Sequence, residues 1–266
     1  MKLHPSAITL LTDFGVSDTY VGQVKGAILG ICPRAQLIDL THEIAPQQVE
    51  AAAQIWADAV AVFPAGTVHL GIVDPGVGSP RRGIAAEIGD WRFVCPDNGL
   101  LACILANWPC RNAVELKVPG YWRASVSSVF HGRDLFGPVA AHLAQGVDLT
   151  SLGPAIELQP GAPFVRGPVQ EGDEIRGIVL GSDRFGNLQT DIPAELFATG
   201  GAEWRIEIAG RFIDGVSQYY GEQPAGTVMA LVGSNGRLEI AVNQGNAAQR
   251  LGVSRGVDVV ARMKKG

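Results

Sequence analysis

Three short runs of this chain carry most of its chemistry. In Gly71-Ile72-Val73-Asp74-Pro75-Gly76-Val77-Gly78-Ser79-Pro80-Arg81-Arg82 an apolar β-branched segment ends on a carboxylate, a Pro/Gly loop follows, and two guanidiniums close the run. Such a loop lets the chain turn sharply and return Arg81 or Arg82 toward Asp74; the two positions are adjacent, and both readings stay open. Ile8-Thr9-Leu10-Leu11-Thr12-Asp13-Phe14-Gly15 and Val129-Phe130-His131-Gly132-Arg133-Asp134 share the design, with ionisable groups at the end of an apolar segment. Carboxylates and imidazoles accept protons, and a guanidinium holds a carboxylate in fixed geometry. In open α/β sheets, ligands bind at that edge. The pattern is that of an enzyme.

The elements that must position these groups alternate between strand and helix in the first half. Ala7–Thr12, Gln36–Leu40 and Thr67–Val73 have the pattern of buried strands. Between them, Asp18 is placed to cap a helix bearing Val21, Val24, Ile28 and Ile31, and Pro46 to open one bearing Val49, Ala52, Ala53, Trp56 and Val60. Gly83–Ile88 and Trp91–Val94 read as a hairpin, Asn98–Ala106 as a short helix, Ala113–Lys117 as a strand and Arg133–Gln145 as a helix. This alternation predicts an α/β domain over 1–155 with a mostly parallel sheet. From Pro154 to Gly172 the composition shifts to Pro, Gly and polar residues, as in a linker. Beyond it, Glu174–Gly181, Leu188–Ile192, Trp204–Ile208, Thr227–Val232, Leu238–Val242 and Val257–Ala261 read as strands, with a hairpin turn at Gly233-Ser234-Asn235-Gly236. A smaller, mainly β barrel or sandwich over 172–266 is expected.

Composition excludes several function classes. The 266 residues are 47% hydrophobic and 18% charged with a formal net charge of −5, enough for a substantial core but without a clustered basic face. Nucleic acid is therefore not expected as a partner. Lys264-Lys265 reads as a solvated tail. No apolar stretch reaches the roughly 20 residues of a membrane span, and Met1-Lys2-Leu3-His4-Pro5 has no long apolar region, so a cytoplasmic protein without a membrane partner is expected. Cys32, Cys95, Cys103 and Cys110 have neither disulfide nor zinc spacing and read as apolar filler.

Six motifs occur in order: Thr12-Asp13-Phe14-Gly15, Val73-Asp74-Pro75-Gly76-Val77-Gly78 with Arg81, Pro96-Asp97-Asn98-Gly99-Leu100-Leu101, Phe130-His131-Gly132-Arg133-Asp134, Asp183-Arg184-Phe185-Gly186-Asn187 and Gly233-Ser234-Asn235-Gly236. On these the chain resembles the S-adenosyl-L-methionine hydroxide adenosyltransferases, relatives of the fluorinating and chlorinating enzymes, from about Ile8 to Val260. The resemblance implies hydrolysis of S-adenosylmethionine to adenosine and methionine, with water or hydroxide attacking the ribose 5′ carbon in line with the departing sulfur. It assigns Asp74, Arg81 and His131 to the activating group and Asp13 to the ribose hydroxyls. Asp183 and Ser234 fall to the amino acid end, Asn187 to the adenine, and Tyr220, with Tyr219 adjacent, to an aromatic face for the base. It implies no cofactor, no metal, and a homotrimer with sites between subunits.

Each assignment has a plainer rival. Asp74 could cap a loop, His131 could be a core histidine, Asp13 could be a cap, and Asp183, Asn187 and Ser234 could only form turns. The halogenating relatives carry a tyrosine at the position of Asp74, and the fluorinating ones a serine at Gly132 and a tryptophan at Gln47. A carboxylate in the nucleophile pocket repels halide, which disfavours halogenation. Two other classes stay in view: a sensor that binds S-adenosylmethionine or adenosine without turnover, and a metal-dependent phosphohydrolase using Asp13, Asp39 and His42. His42 after Asp39 reads more simply as a structural hydrogen bond.

Overall fold

The computed structural model describes residues 7–159, 167–197 and 203–264. Met1–Pro5, the Pro160–Pro163 part of the linker run and Lys265 lie outside them. The chain divides into two compact units, 1–164 and 165–266.

In the first unit the elements run β1 (Ala7–Thr12), α1 (Tyr20–Ile31), β2 (Gln36–Thr41), α2 (Val49–Val60), β3 (Val68–Ile72), β4 (Gly83–Ile88), β5 (Trp91–Pro96), α3 (Ala102–Asn107), β6 (Cys110–Glu115) and α4 (Gly137–Ala144). The sheet order is β2-β1-β3-β5-β4-β6. The first four strands are mutually parallel, and β4 runs antiparallel to both its neighbours. Alternation along the strands divides the apolar residues between two cores. Ile8, Leu10, Leu70 and Ile72 join Val24 and Ile28 of α1 and Val139 of α4 on one face. Leu11, Phe93 and Cys95 join Trp56 of α2 and Ile104 of α3 on the other. The order reverses between β1 and β3, the topological switch where such sheets bind ligands. Thr12 pairs with Ile72 on the last rung, so Asp13 and Asp74 follow from one edge.

Several element ends differ from the sequence expectation. Helix α1 begins after Thr19, and neither that residue nor Asp18 makes a side-chain cap. Helix α2 begins at Val49, because Gln47 turns into the left-handed region (φ 67) and breaks the helix that Pro46 would open. The Arg133–Gln145 helix starts as a π-turn over Gly132–Phe136. Pro138 has no N–H for the Asp134 carbonyl four residues back, and the Arg123 amide takes that carbonyl instead at 2.9 Å. The linker run is attached at its start: the Ile156 amide donates to the Ala113 carbonyl at 2.9 Å.

In the second unit β7 (Val169–Glu171), β8 (Glu174–Ser182), β9 (Leu188–Pro193), β10 (Trp204–Ile208), β11 (Arg211–Asp214), β12 (Val228–Val232), β13 (Arg237–Val242) and β14 (Asp258–Met263) form one antiparallel sheet, with helix α5 (Ala247–Leu251) after β13. The path β11-β10-β14-β8-β9-β13-β12 is brought close to closure by a bridge from Ser217 to Leu231 at its two ends. Inward residues such as Ile175, Leu188, Ile206 and Ile240 fill it. The pattern of the sequence missed β7, β11 and α5, all short. Lys264 is no solvated tail, since it pairs with Asp214 at 3.2 Å and Glu203 at 3.4 Å. All four cysteines are free thiols.

One core residue makes stability depend on pH. His69 of β3 is wholly buried, has its Nδ1 2.7 Å from the Thr9 hydroxyl and stacks on Phe93. Its Nε2 has no hydrogen-bond partner among the described residues, and burial pushes its pKa down to about 3. The unfolded chain takes up a proton there near pH ~6.5 and the native state does not, so full stability is present above that pH and declines toward 3. We expect His69→Gln to reduce the loss of unfolding free energy between pH 7 and 5 by about 2 kcal/mol, read by denaturant unfolding at both pH values. An unchanged loss would refute this placement of the proton.

Candidate active site

Asp74, Arg81 and His131 come together. Arg81 Nε donates to Asp74 Oδ1 at 2.9 Å and Oδ2 at 3.0 Å, and its Nη2 donates to Oδ2 as well. The same Nη2 lies 2.8 Å from His131 Nδ1. The guanidinium carbon sits 5.1 Å over the Phe136 ring. Arg82 turns away and pairs with Asp97, Nε to Oδ2 at 2.8 Å. The Arg81 and Asp74 side chains are 11% and 6% exposed, against 42% and 27% for Arg82 and Asp97, so the buried pair uses Arg81.

A guanidinium only donates. His131 Nδ1, facing Arg81, must therefore be the acceptor, and the imidazole is neutral with its proton on Nε2. Burial and Arg81 both pull its pKa below the usual histidine value, against the opposing pull of Asp74 and Asp134. The geometry and the charges agree.

The loops are held by contacts a sequence pattern does not display. Asp134 is fully buried and accepts Arg133 Nε at 2.7 Å, Ser127 N–H at 2.9 Å and Arg123 Nη1 at 3.0 Å. These donors, Arg133 first, draw its pKa down to about 2. Asp134 thus anchors the loop that presents Ser127, Phe130 and His131. Gly78 (φ 77) brings the Asp74–Arg81 loop against it, since a Cβ there would lie 2.5 Å from the Ser128 carbonyl oxygen. Asn98 secures the end of β3, donating from Nδ2 to the Val73 carbonyl at 2.8 Å.

Asp74 and His131 line a cavity of about 590 Å³ with Asp13, Phe14, Gln47 and Gly132, and Arg81, which is not among the lining residues, stands behind them. Asp13 Oδ2 accepts the Gln47 amide at 2.9 Å. A non-glycine in left-handed backbone is uncommon, and here it aims an N–H at a site carboxylate. A Cβ on Gly132 would sit 3.2 Å from Ile72 Cδ1 and 3.4 Å from Phe14 Cζ, so a serine at this position would need the apolar wall to give. His42 is used structurally: Thr12 Oγ1 lies 2.8 Å from Nδ1, and Asp39 Oδ1 3.1 Å from Nε2. Among the described residues no three His, Cys, Asp or Glu side chains form a metal-ligand cluster.

The second unit holds the remaining candidates. Asp183, Asn187 and Tyr220 line a depression of about 640 Å³ with Phe185, Gln244 and Asn246. Asp183 Oδ1 accepts the amides of Phe185 and Asn187, each at 2.9 Å, so this carboxylate braces its own turn. Ser234 lies on the exposed β12–β13 turn and is not among the lining residues. Sequence reasoning overlooked Glu239, a buried carboxylate of β13 that accepts the Tyr220 hydroxyl at 2.7 Å. Its signal was present: a single charge in the apolar run Leu238-Glu239-Ile240-Ala241-Val242.

Both halves match family models, the SAM hydroxide adenosyltransferase N-terminal domain over residues 8–153 and the C-terminal domain over 177–260. The chain belongs to the SAM hydroxide adenosyltransferase family. It is similar to the (R)-S-adenosyl-L-methionine hydrolase of Thermus thermophilus, 39% identical over 261 residues that span 95% of this chain and 98% of the relative. A fluorinase from Nocardia brasiliensis is more distant, 27% identical over 96% of each chain. A solved structure of a conserved protein from Thermotoga maritima superposes with a TM-score of 0.90 at 36% identity, covering 96% of this chain and 99% of that one. No helix among the described residues is long and apolar enough to cross a membrane.

The Gly78 contact carries a prediction of its own for this family member. Gly78→Ala must both strain φ and displace the Ser128 carbonyl, and we expect a cost of about 1–3 kcal/mol, a fall of several degrees in Tm. An alanine variant as stable as the parent would show that the two loops are not held against each other there.

Proposed function

We propose that this protein hydrolyses S-adenosyl-L-methionine to adenosine and L-methionine. The observation that carries the reading is the half-buried Asp74–Arg81–His131 cluster beside a ligand-sized cavity. Family membership and relatives named (R)-S-adenosyl-L-methionine hydrolase supply the substrate, including the R configuration at sulfur.

In this reading a water rests between Asp74, which accepts, and the His131 Nε2–H, which donates. Water is a weak acid with a pKa of about 15.7, so attack must be coupled to proton transfer, and Asp74 is the acceptor. The water oxygen bonds to the ribose 5′ carbon as the carbon–sulfur bond breaks. The bonding pair goes to sulfur, the sulfonium becomes a neutral thioether, and one proton is released. Hydroxide and sulfonium cancel charge on the way, and the apolar wall of Phe14, Ile72, Val77 and Phe130 favours that over separated ions in water. Asp13 accepts the two ribose hydroxyls, Asn187 and Tyr220 receive the adenine, and Ser234 and Asp183 lie toward the amino acid. No cofactor enters the scheme. The family resemblance implies a homotrimer with sites between subunits, which we propose here, and we place the enzyme in the cytoplasm. A protein that only sensed the ligand would have no task for this cluster.

Incubation with (R)-S-adenosyl-L-methionine should yield equal amounts of adenosine and methionine by chromatography; tight binding without product would overturn the assignment. Asp74→Ala should lower kcat by about 10²–10⁴. Arg81→Lys should cost about 10² because the bidentate fork is lost, whereas Arg82→Lys should stay within about two-fold. Equal losses at both arginines would argue against the Arg81 assignment.

The pH profile tests the His131 tautomer separately. Neutral His131 is the working form and its pKa is lowered. The rate should hold level through neutral pH and fall on acidification, with a midpoint below the ordinary histidine value of about 6.5. A rate that rises with acid would assign the protonated imidazole instead.

A further inference from the structure

The depression in the second unit contains a chain of hydrogen bonds anchored at both ends by carboxylates. Asn187 Nδ2 donates to Asp183 Oδ2 at 3.1 Å and to the Tyr220 hydroxyl at 3.4 Å. The Tyr220 hydroxyl donates onward to Glu239 Oε1 at 2.7 Å. Ionised carboxylates only accept, so every direction in the chain is forced. Burial, then Glu239, pushes the Tyr220 pKa up to about 12, which keeps the hydroxyl proton in place. Its one proton goes to Glu239, and its oxygen is left to accept from Asn187.

Both Asn187 amide hydrogens are therefore committed. The Asn187 side chain, 7% exposed, lines the depression, and its Oδ1 accepts no hydrogen bond among the described residues. The one atom this amide can offer a ligand is an acceptor. Turning the amide over would set Oδ1 against Asp183 Oδ2 and leave the Tyr220 oxygen without its donor.

We propose that Glu239 is a positioning residue which, through the Tyr220 hydroxyl, fixes Asn187 with its oxygen toward the ligand, so that the depression accepts a purine bearing an amino group at position 6 and rejects one bearing a carbonyl. The identity of the ligand as a purine rests on the hydrolase reading above; the orientation of the amide does not. A 6-amino group donates to Oδ1, whereas a 6-oxo group meets it with a second lone pair. Once a base covers Asn187, which is 7% exposed, such a mismatch is costly because neither acceptor finds a donor.

The test is binding of adenosine and of inosine to the full chain by calorimetry, with the parent, Glu239→Gln, Glu239→Leu and Tyr220→Phe. Tyr220 is partly exposed, so its variant guards against a folding failure in Glu239→Leu. We expect adenosine to bind at least ten-fold tighter than inosine in the parent, and the ratio to fall to about three-fold or less in Glu239→Leu and Tyr220→Phe. In Glu239→Gln the side-chain carbonyl still accepts the hydroxyl, and most of the preference should return. Equal affinity for both nucleosides in the parent would overturn the proposal, as would equal weakening of both in the Leu and Phe variants, the mark of a merely structural role. Turnover of S-adenosylmethionine by the parent is assayed separately: its absence strikes the hydrolase reading, while the nucleoside ratio alone decides the role of Glu239.

Discussion

A guanidinium has five donors and no acceptor, and that property of Arg81 sets the state of the groups around it. Asp74 must face it as the ionised acceptor, and His131 must face it with a bare Nδ1. The three side chains come from two loops, yet one side chain settles the charge of the carboxylate and the tautomer of the ring together. Substituting lysine keeps the charge and loses the planar fork that reaches both partners. The stacking of Arg81 on Phe136 and its low exposure hold the fork in register.

That arrangement is available only because the sheet delivers its strand ends to one edge. β1 and β3 are adjacent and parallel, and their last rung pairs Thr12 with Ile72, so Asp13 and Asp74 leave the sheet side by side. The chain then needs a third contributor from across the site. The π-turn at Gly132–Phe136 supplies it, with Asp134 buried beneath as the anchor for three donors. Local irregularities therefore sit where the chemistry is: the left-handed Gln47, the left-handed Gly78 and the π-turn.

Much of this was legible in the residues, and the exceptions have physical causes. Buried parallel strands are apolar runs that end abruptly in polar groups, so β1, β3 and the ionisable groups after them stand out in the sequence. The two arginines do not: adjacent residues have the same local signal, and only the burial of one pair separates Arg81 from Arg82. The helix start expected at Pro46 fails because the Gln47 amide is held by Asp13, and Asp18 stays exposed while α1 begins after Thr19 without a side-chain cap. The short strands β7 and β11 are too brief to show a period. Glu239 was visible as a charge within an apolar strand, but the partner that explains it, Tyr220, lies nineteen residues away across a loop.

The two units follow one rule by different means. In the first, a cation that can only donate leaves a defined N–H on His131. In the second, carboxylates that can only accept leave a defined oxygen on Asn187. Neither histidine nor asparagine has an intrinsic direction, since each can present a donor or an acceptor at the same place. A buried ionised partner removes that freedom at the cost of desolvating a charge, a cost repaid only when its hydrogen bonds are all made. The fixed charges thus act as directors of neutral groups: Arg81 sets the ring of His131, and Asp183 and, through Tyr220, Glu239 set the amide of Asn187.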